Sequence, residues 1–130
     1  MLNGKELMLG DYVNIVEYDY PEVVGVVKEI LADGEEMIVS VDNDRLTLDD
    51  EHIHELFLSK TFFLENGFVD LETGRHITRL YNRDNQLRVN IFPENCFRCQ
   101  VNRIEINYVH EFQHLLRLIG LSDYANNLKI

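Results

Sequence analysis

At 130 residues the chain is the size of one ordinary domain or of two small modules, and 45% apolar residues suffice for a packed interior. No apolar run reaches the roughly 18 residues that cross a membrane. The start, MLNGKELMLGDYV, lacks signal-peptide character, and Cys96 and Cys99 alone imply no disulfide framework. A cytoplasmic protein is expected. The formal charge of −11 is unevenly spread: residues 1–58 hold 3 Lys+Arg against 15 Asp+Glu, and residues 59–130 hold 9 against 8. That acidic field opposes DNA, RNA and anionic lipid, and leaves either a solvated surface or a face for a basic partner.

In chain order, YVNIV (12–16), VVGVVKEI (23–30), MIVSV (37–41) and RLTL (45–48) are β-branched runs. They are separated by DYPE, ADGEE and DNDR, which are turn sequences. Short strands at this spacing predict a small β-barrel of the SH3 kind, with Gly25 at a bend. LSKTFFLENGF (58–68) predicts one short helix, capped by Ser59 and ended by Gly67, with Phe62, Phe63 and Leu64 inward. RHITRLYN (75–82), QLRVNIF (86–92) and CFRCQVNRIEI (96–106) predict a three-stranded antiparallel meander, with turns near Asp84-Asn85 and Pro93-Glu94-Asn95. YVHEFQHLLRLIG (108–120) predicts an amphipathic helix ended by Gly120, then a polar tail. The expected class is α+β, with an acidic β unit over 1–58 and a helix, sheet and closing helix over 59–130.

HEFQH at 110–114 matches the His-Glu-x-x-His string of zinc proteases, in which two histidines one turn apart hold the metal and the glutamate activates its water. A catalytic zinc needs a third protein ligand. Only 16 residues follow His114, with neither His nor Glu among them and Asp123 the sole carboxylate. On a helical wheel Val109, Phe112, Leu115, Leu116 and Ile119 form the core face. His110, His114 and Arg117 lie nearly opposite, with Gln113 beside them. The string therefore reads as a solvated polar face. A zinc-dependent hydrolase using His110, Glu111 and His114 is the alternative.

Cys96-x2-Cys99-x10-His110-x3-His114 approaches a zinc-finger pattern. In a strand, however, residues three apart point to opposite faces, so the two thiolates cannot share one ion. His52 and His54 read as surface. Arg88 and Asn90 share one strand face, as do Arg98, Gln100 and Asn102, and Leu87, Val89, Ile91, Phe97, Cys99 and Val101 take the other. This polar face could meet phosphates through Arg88 and Arg98. It lacks the stacking aromatics of single-strand binders, and the acidic half opposes it, so nucleic acid is not the expected partner.

Three stretches, KELMLGDYVNI (5–15), HELFLSKTFFLENGF (54–68) and INYVHEFQHLLRLIGL (106–121), together resemble a family of small uncharacterised proteins of Bacteroides-group bacteria and their phages and mobile elements. That family begins E-L-R-I-G-N-Y-V, carries I-P-L-T-E-E-x-L-L-K-x-G-F midway and closes Y-V-H-x-L-Q-x-x-x-x-L-x-G. Phe57 and Leu58 depart from its central lead-in. In the family the place of Glu111 is often Gln and that of His114 often Asn, which the zinc signature would not allow. The resemblance implies a host-interaction or regulatory protein of phage or mobile-element origin. The expectation is thus a non-enzymatic protein-binding module, without cofactor, metal or membrane. It would dock a basic partner protein through its acidic half, with Asp42, Asp44, Asp49 and Asp50 as binding residues.

Overall fold

The β-branched runs of the acidic half become strands in a computed structural model of the chain. It describes residues 2, 4–17, 20–93 and 98–130, apart from the side chains of Lys5, Glu17, Tyr20, Pro21 and Glu22. The chain divides into two units, Met1–Leu56 and Phe57–Ile130. Phe57 and Leu58 fall in the second: Phe57 bridges to Tyr108, and the Leu58 amide donates to the Asn107 carbonyl. The class is mixed α+β, dominated by two antiparallel sheets. No helix among the described residues is long and apolar enough to cross a membrane.

The first unit contains β1 (Tyr12–Glu17), β2 (Tyr20–Leu31), β3 (Glu36–Val41), β4 (Asp44–Asp49) and β5 (Ile53–His54). They form one sheet in the order β4-β3-β2-β1-β5. A 3₁₀ turn, Asp50–His52, carries the chain from β4 back to β5, which pairs with β1 at the opposite edge. Alternation puts Val13, Ile15, Val27, Met37 and Val39 into the core, all 3% exposed or less. Leu2 and Leu7 join them, and the Leu2 amide donates to the Ile53 carbonyl. Gly25 is paired in register with Val13, and register shifts fall on either side of it, between Ile15 and Glu17 of β1 and between Val27 and Glu29 of β2. A Cβ on Gly25 would lie 2.3 Å from Val39 Cγ1 and 2.7 Å from Ile15 Cδ1, so glycine there permits close packing.

The second unit opens with α1 (Lys60–Glu65). Ser59 Oγ accepts from the Phe62 amide at 3.1 Å, and Gly67 follows the helix at φ +89°. The sheet has five strands, not three: β6 (Val69–Thr73), β7 (Thr78–Asn82), β8 (Leu87–Phe92), β9 (Arg98–Val101) and β10 (Ile104–Glu105), in the order β10-β9-β8-β7-β6. β6 is exposed throughout, so it carries no alternation of burial for a sequence reading to catch. The third predicted strand is folded back on itself by Asn102 and Arg103, both at positive φ. The Asn102 side chain accepts from the Arg88 amide and the Asn102 amide donates to the Arg88 carbonyl, which pins this glycine-free turn to β8. The turn at Asp84-Asn85 closes the β7–β8 hairpin, whereas Glu94 and Asn95 lie outside the described residues.

Two helices complete the unit, α2 (Val109–Leu118) and α3 (Ser122–Asn126), the latter where a polar tail was predicted. Ala125 and Leu128 are buried, and Asn66 holds the chain end: its amide donates to the Lys129 carbonyl and its carbonyl oxygen accepts from the Lys129 amide. Phe63 and Phe112, both fully buried, centre a cluster with Phe62, Phe68 and Tyr124, at centroid separations of 5.1–6.4 Å. Leu64 and Ile119, expected inward, are 42% and 49% exposed. Phe62 and Phe63 already fill the inner side of the six-residue α1, and Ile119 is the C-cap of α2, past its last turn.

Candidate functional site

In the acidic unit the predicted binding residues do not form one patch. Asp42 and Asp44 sit at the β3–β4 turn, and Asp49 and Asp50 at the far end of β4. At about 3.3 Å rise per residue, the two pairs are roughly 17 Å apart along the strand. Asp49 and Asp50 share a concavity of about 290 Å³, and its other lining residues are Glu35, Glu36 and Glu51. The sheet brings them together: Glu36 faces Asp49 in register, and the Asp50 amide donates to the Glu35 carbonyl. Sequence reasoning missed Glu35 and Glu36 because their proximity depends on β3–β4 register, whereas Glu51, next to Asp50 in the chain, was within reach. Among the described residues no group of three or more His, Cys, Asp or Glu side chains could hold a metal ion.

The HEFQH helix is not a solvated face. His110 is 5% exposed and Gln113 fully buried, and α3 packs on the side of Gln113, whose Nε2 donates to the Ala125 carbonyl at 3.0 Å. The His110 ring stacks on Tyr108, 5.7 Å away and 8° from parallel, and meets His114 edge-on at 5.6 Å. Glu111 Oε1 accepts from the amides of Asn107 and Tyr108, at 3.0 and 3.1 Å. This carboxylate therefore satisfies donors at the helix start and favours the positive end of the helix dipole.

Cys99 lies fully buried in β9, where burial pushes its thiol up to about 12. Burial thus disfavours the thiolate, the form that binds metals and reacts. Cys96 and Phe97 lie outside the described residues. Burial likewise pushes the Tyr124 phenol up to about 12, offset in part by its hydrogen bond with Asn82, which reaches both Tyr124 and the Asn66 carbonyl. On the exposed side, a hydrogen bond from Lys60 holds the Asp70 carboxyl below its ordinary value, helped by one from Thr73. His52 and His54 lie in and just after the 3₁₀ turn of the first unit, both part-buried rather than on the open surface.

The second sheet divides its faces as alternation predicts. Leu87, Val89, Ile91, Cys99 and Val101 are buried, and Asn82, on the same side, meets α1 and α3. Arg88 and Arg98 are exposed, and Asn90 and Gln100 face each other in register and are part-buried. The face is not devoid of aromatics. Tyr81 stands opposite Arg88, and Phe92 opposite Arg98, with guanidinium carbons 5.9 and 5.7 Å from the ring centroids. Phe92 was within reach of the sequence, being next in the 88, 90, 92 alternation, but Tyr81 needed the β7–β8 register. A groove of about 760 Å³ crosses this face, lined in part by Arg79, Tyr81, Arg88, Asn90 and Arg103. Glu72 pairs with Arg79 at 3.3 Å and Glu105 with Arg98 at 2.7 Å. No known protein family, curated protein or solved structure matches the chain.

Proposed function

We propose that the chain is a non-enzymatic, cytoplasmic binding protein whose first unit docks a basic partner protein through the concavity of Glu35, Glu36, Asp49, Asp50 and Glu51. The observation that carries this reading is the convergence of five carboxylates on one concave surface with no Lys or Arg in its lining. Their mutual repulsion costs stability in the isolated protein, and a cationic partner relieves it, so charge complementarity favours docking and speeds encounter. Asp42 and Asp44, at the other end of β4, would add only to the long-range field.

We read the same unit as a small barrel of the SH3 kind. In support, the five strands run β5-β1-β2-β3-β4 with a 3₁₀ turn between β4 and β5, and the long β2 pairs with β1 and then β3 across a bulge. The three-segment resemblance adds a phage or mobile-element origin to the proposal. The zinc-hydrolase alternative is disfavoured because Glu111, its only general base, is engaged with two backbone amides.

Titration calorimetry with a Lys/Arg-rich peptide tests the reading. The triple change Glu36→Gln, Asp49→Asn, Glu51→Gln should weaken binding at least tenfold, and Asp42→Asn with Asp44→Asn should change it less than threefold. Equal effects of the two variants would reduce the concavity to part of a diffuse field.

A further inference from the structure

The outer face of the second sheet combines two features that its position does not require. One is cationic. Arg79, Arg88 and Arg103 come from β7, β8 and the β9–β10 turn onto one groove of about 760 Å³, and Arg98 stands further along the same face. Arg79 and Arg98 are held by Glu72 and Glu105, from the two edge strands, whereas Arg88 and Arg103 have no carboxylate partner among the described residues. The other feature is aromatic. Tyr81 and Phe92, both part-exposed, each lie beneath a guanidinium of a neighbouring strand, with the amides of Asn90 and Gln100 between them.

Guanidinium groups pair with phosphate oxygens in a bidentate manner, and ring faces and guanidinium planes stack unpaired bases. Amides offer both donors and acceptors to base edges. We infer that this face binds single-stranded nucleic acid, its phosphodiester backbone on Arg88 and Arg103 and its bases on Tyr81 and Phe92. A duplex would present phosphates but no base faces to a sheet, leaving the two rings without a role. The near-neutral second unit, 9 Lys+Arg against 8 Asp+Glu, permits this contact where the first unit would repel it.

The full chain is titrated, by fluorescence anisotropy, into labelled oligothymidylate of about twelve nucleotides, a length within the usual span of single-strand sites. A duplex of equal length runs alongside, at several salt concentrations. Binding should favour the single strand at least fivefold and weaken with salt. Arg88→Ala with Arg103→Ala should reduce the log–log salt slope by about 1.4, at about 0.7 for each phosphate no longer neutralised. Tyr81→Leu should weaken binding about fivefold or more while leaving that slope unchanged. Circular dichroism of each variant must match the parent; if Tyr81→Leu fails this, Phe92→Leu replaces it with the same expected loss. No binding at low salt, equal affinity for the duplex, or affinity indifferent to both variants would overturn the inference.

Discussion

Both units are built on a five-stranded antiparallel sheet, yet they dispose of their charge in different ways. In the first unit the sheet and the N-terminal segment supply the whole apolar cluster, and carboxylates collect at the ends of β3 and β4, where strand register brings them onto one concavity. In the second unit Asn82 ties the inner face of the sheet to α1 and α3, and the outer face carries arginine and aromatic side chains in alternation. A charge count per half of a sequence therefore hides where the charge sits. Of the fifteen carboxylates of the first unit, five meet on one concave surface and two stand at a separate turn, and the +1 of the second conceals an arginine-rich face flanked by acidic edges.

The largest effect that separates the two cores is expected from Phe112→Ala. This ring is fully buried against Phe62, Phe63, Phe68 and Tyr124. Its removal should destabilise the second unit by about 3–5 kcal/mol in urea denaturation, and a loss below about 1 kcal/mol would mean that the cluster does not centre that core. The counterpart in the first unit is Gly25→Ala, which forces a methyl against Val39 and Ile15. Overpacking of this kind costs about 1–3 kcal/mol; a neutral result would mean that Val39 and Ile15 give way without cost. Smaller still is Glu111→Ala, which leaves the Asn107 and Tyr108 amides without their acceptor. A loss of about 1 kcal/mol is expected, with Glu111→Gln losing less because its carbonyl still accepts.

The class and most strands were legible because alternation and turn residues agree along β1–β4 and β7–β9. Other parts were not legible, each for its own physical reason. β6 is an exposed edge strand, so no apolar face announced it. α3 is short and polar, and its place follows from Gln113 and Asn66 binding the carbonyls of Ala125 and Lys129, interactions that no local pattern encodes. The burial of Gln113 follows from the same packing, since a helical wheel marks a polar stripe but not what covers it. The capping by Glu111 was not legible either, because it required the backbone course at Asn107.

Function in this chain is proposed to reside in fixed surface charge and not in HEFQH. The most direct test is zinc per chain after dialysis of the untagged protein against a modest excess of zinc and then buffer, with His114→Ala as control. The parent should retain no zinc beyond that of the control. One equivalent bound by the parent and lost in the control would make the helix a metal centre and overturn the proposal.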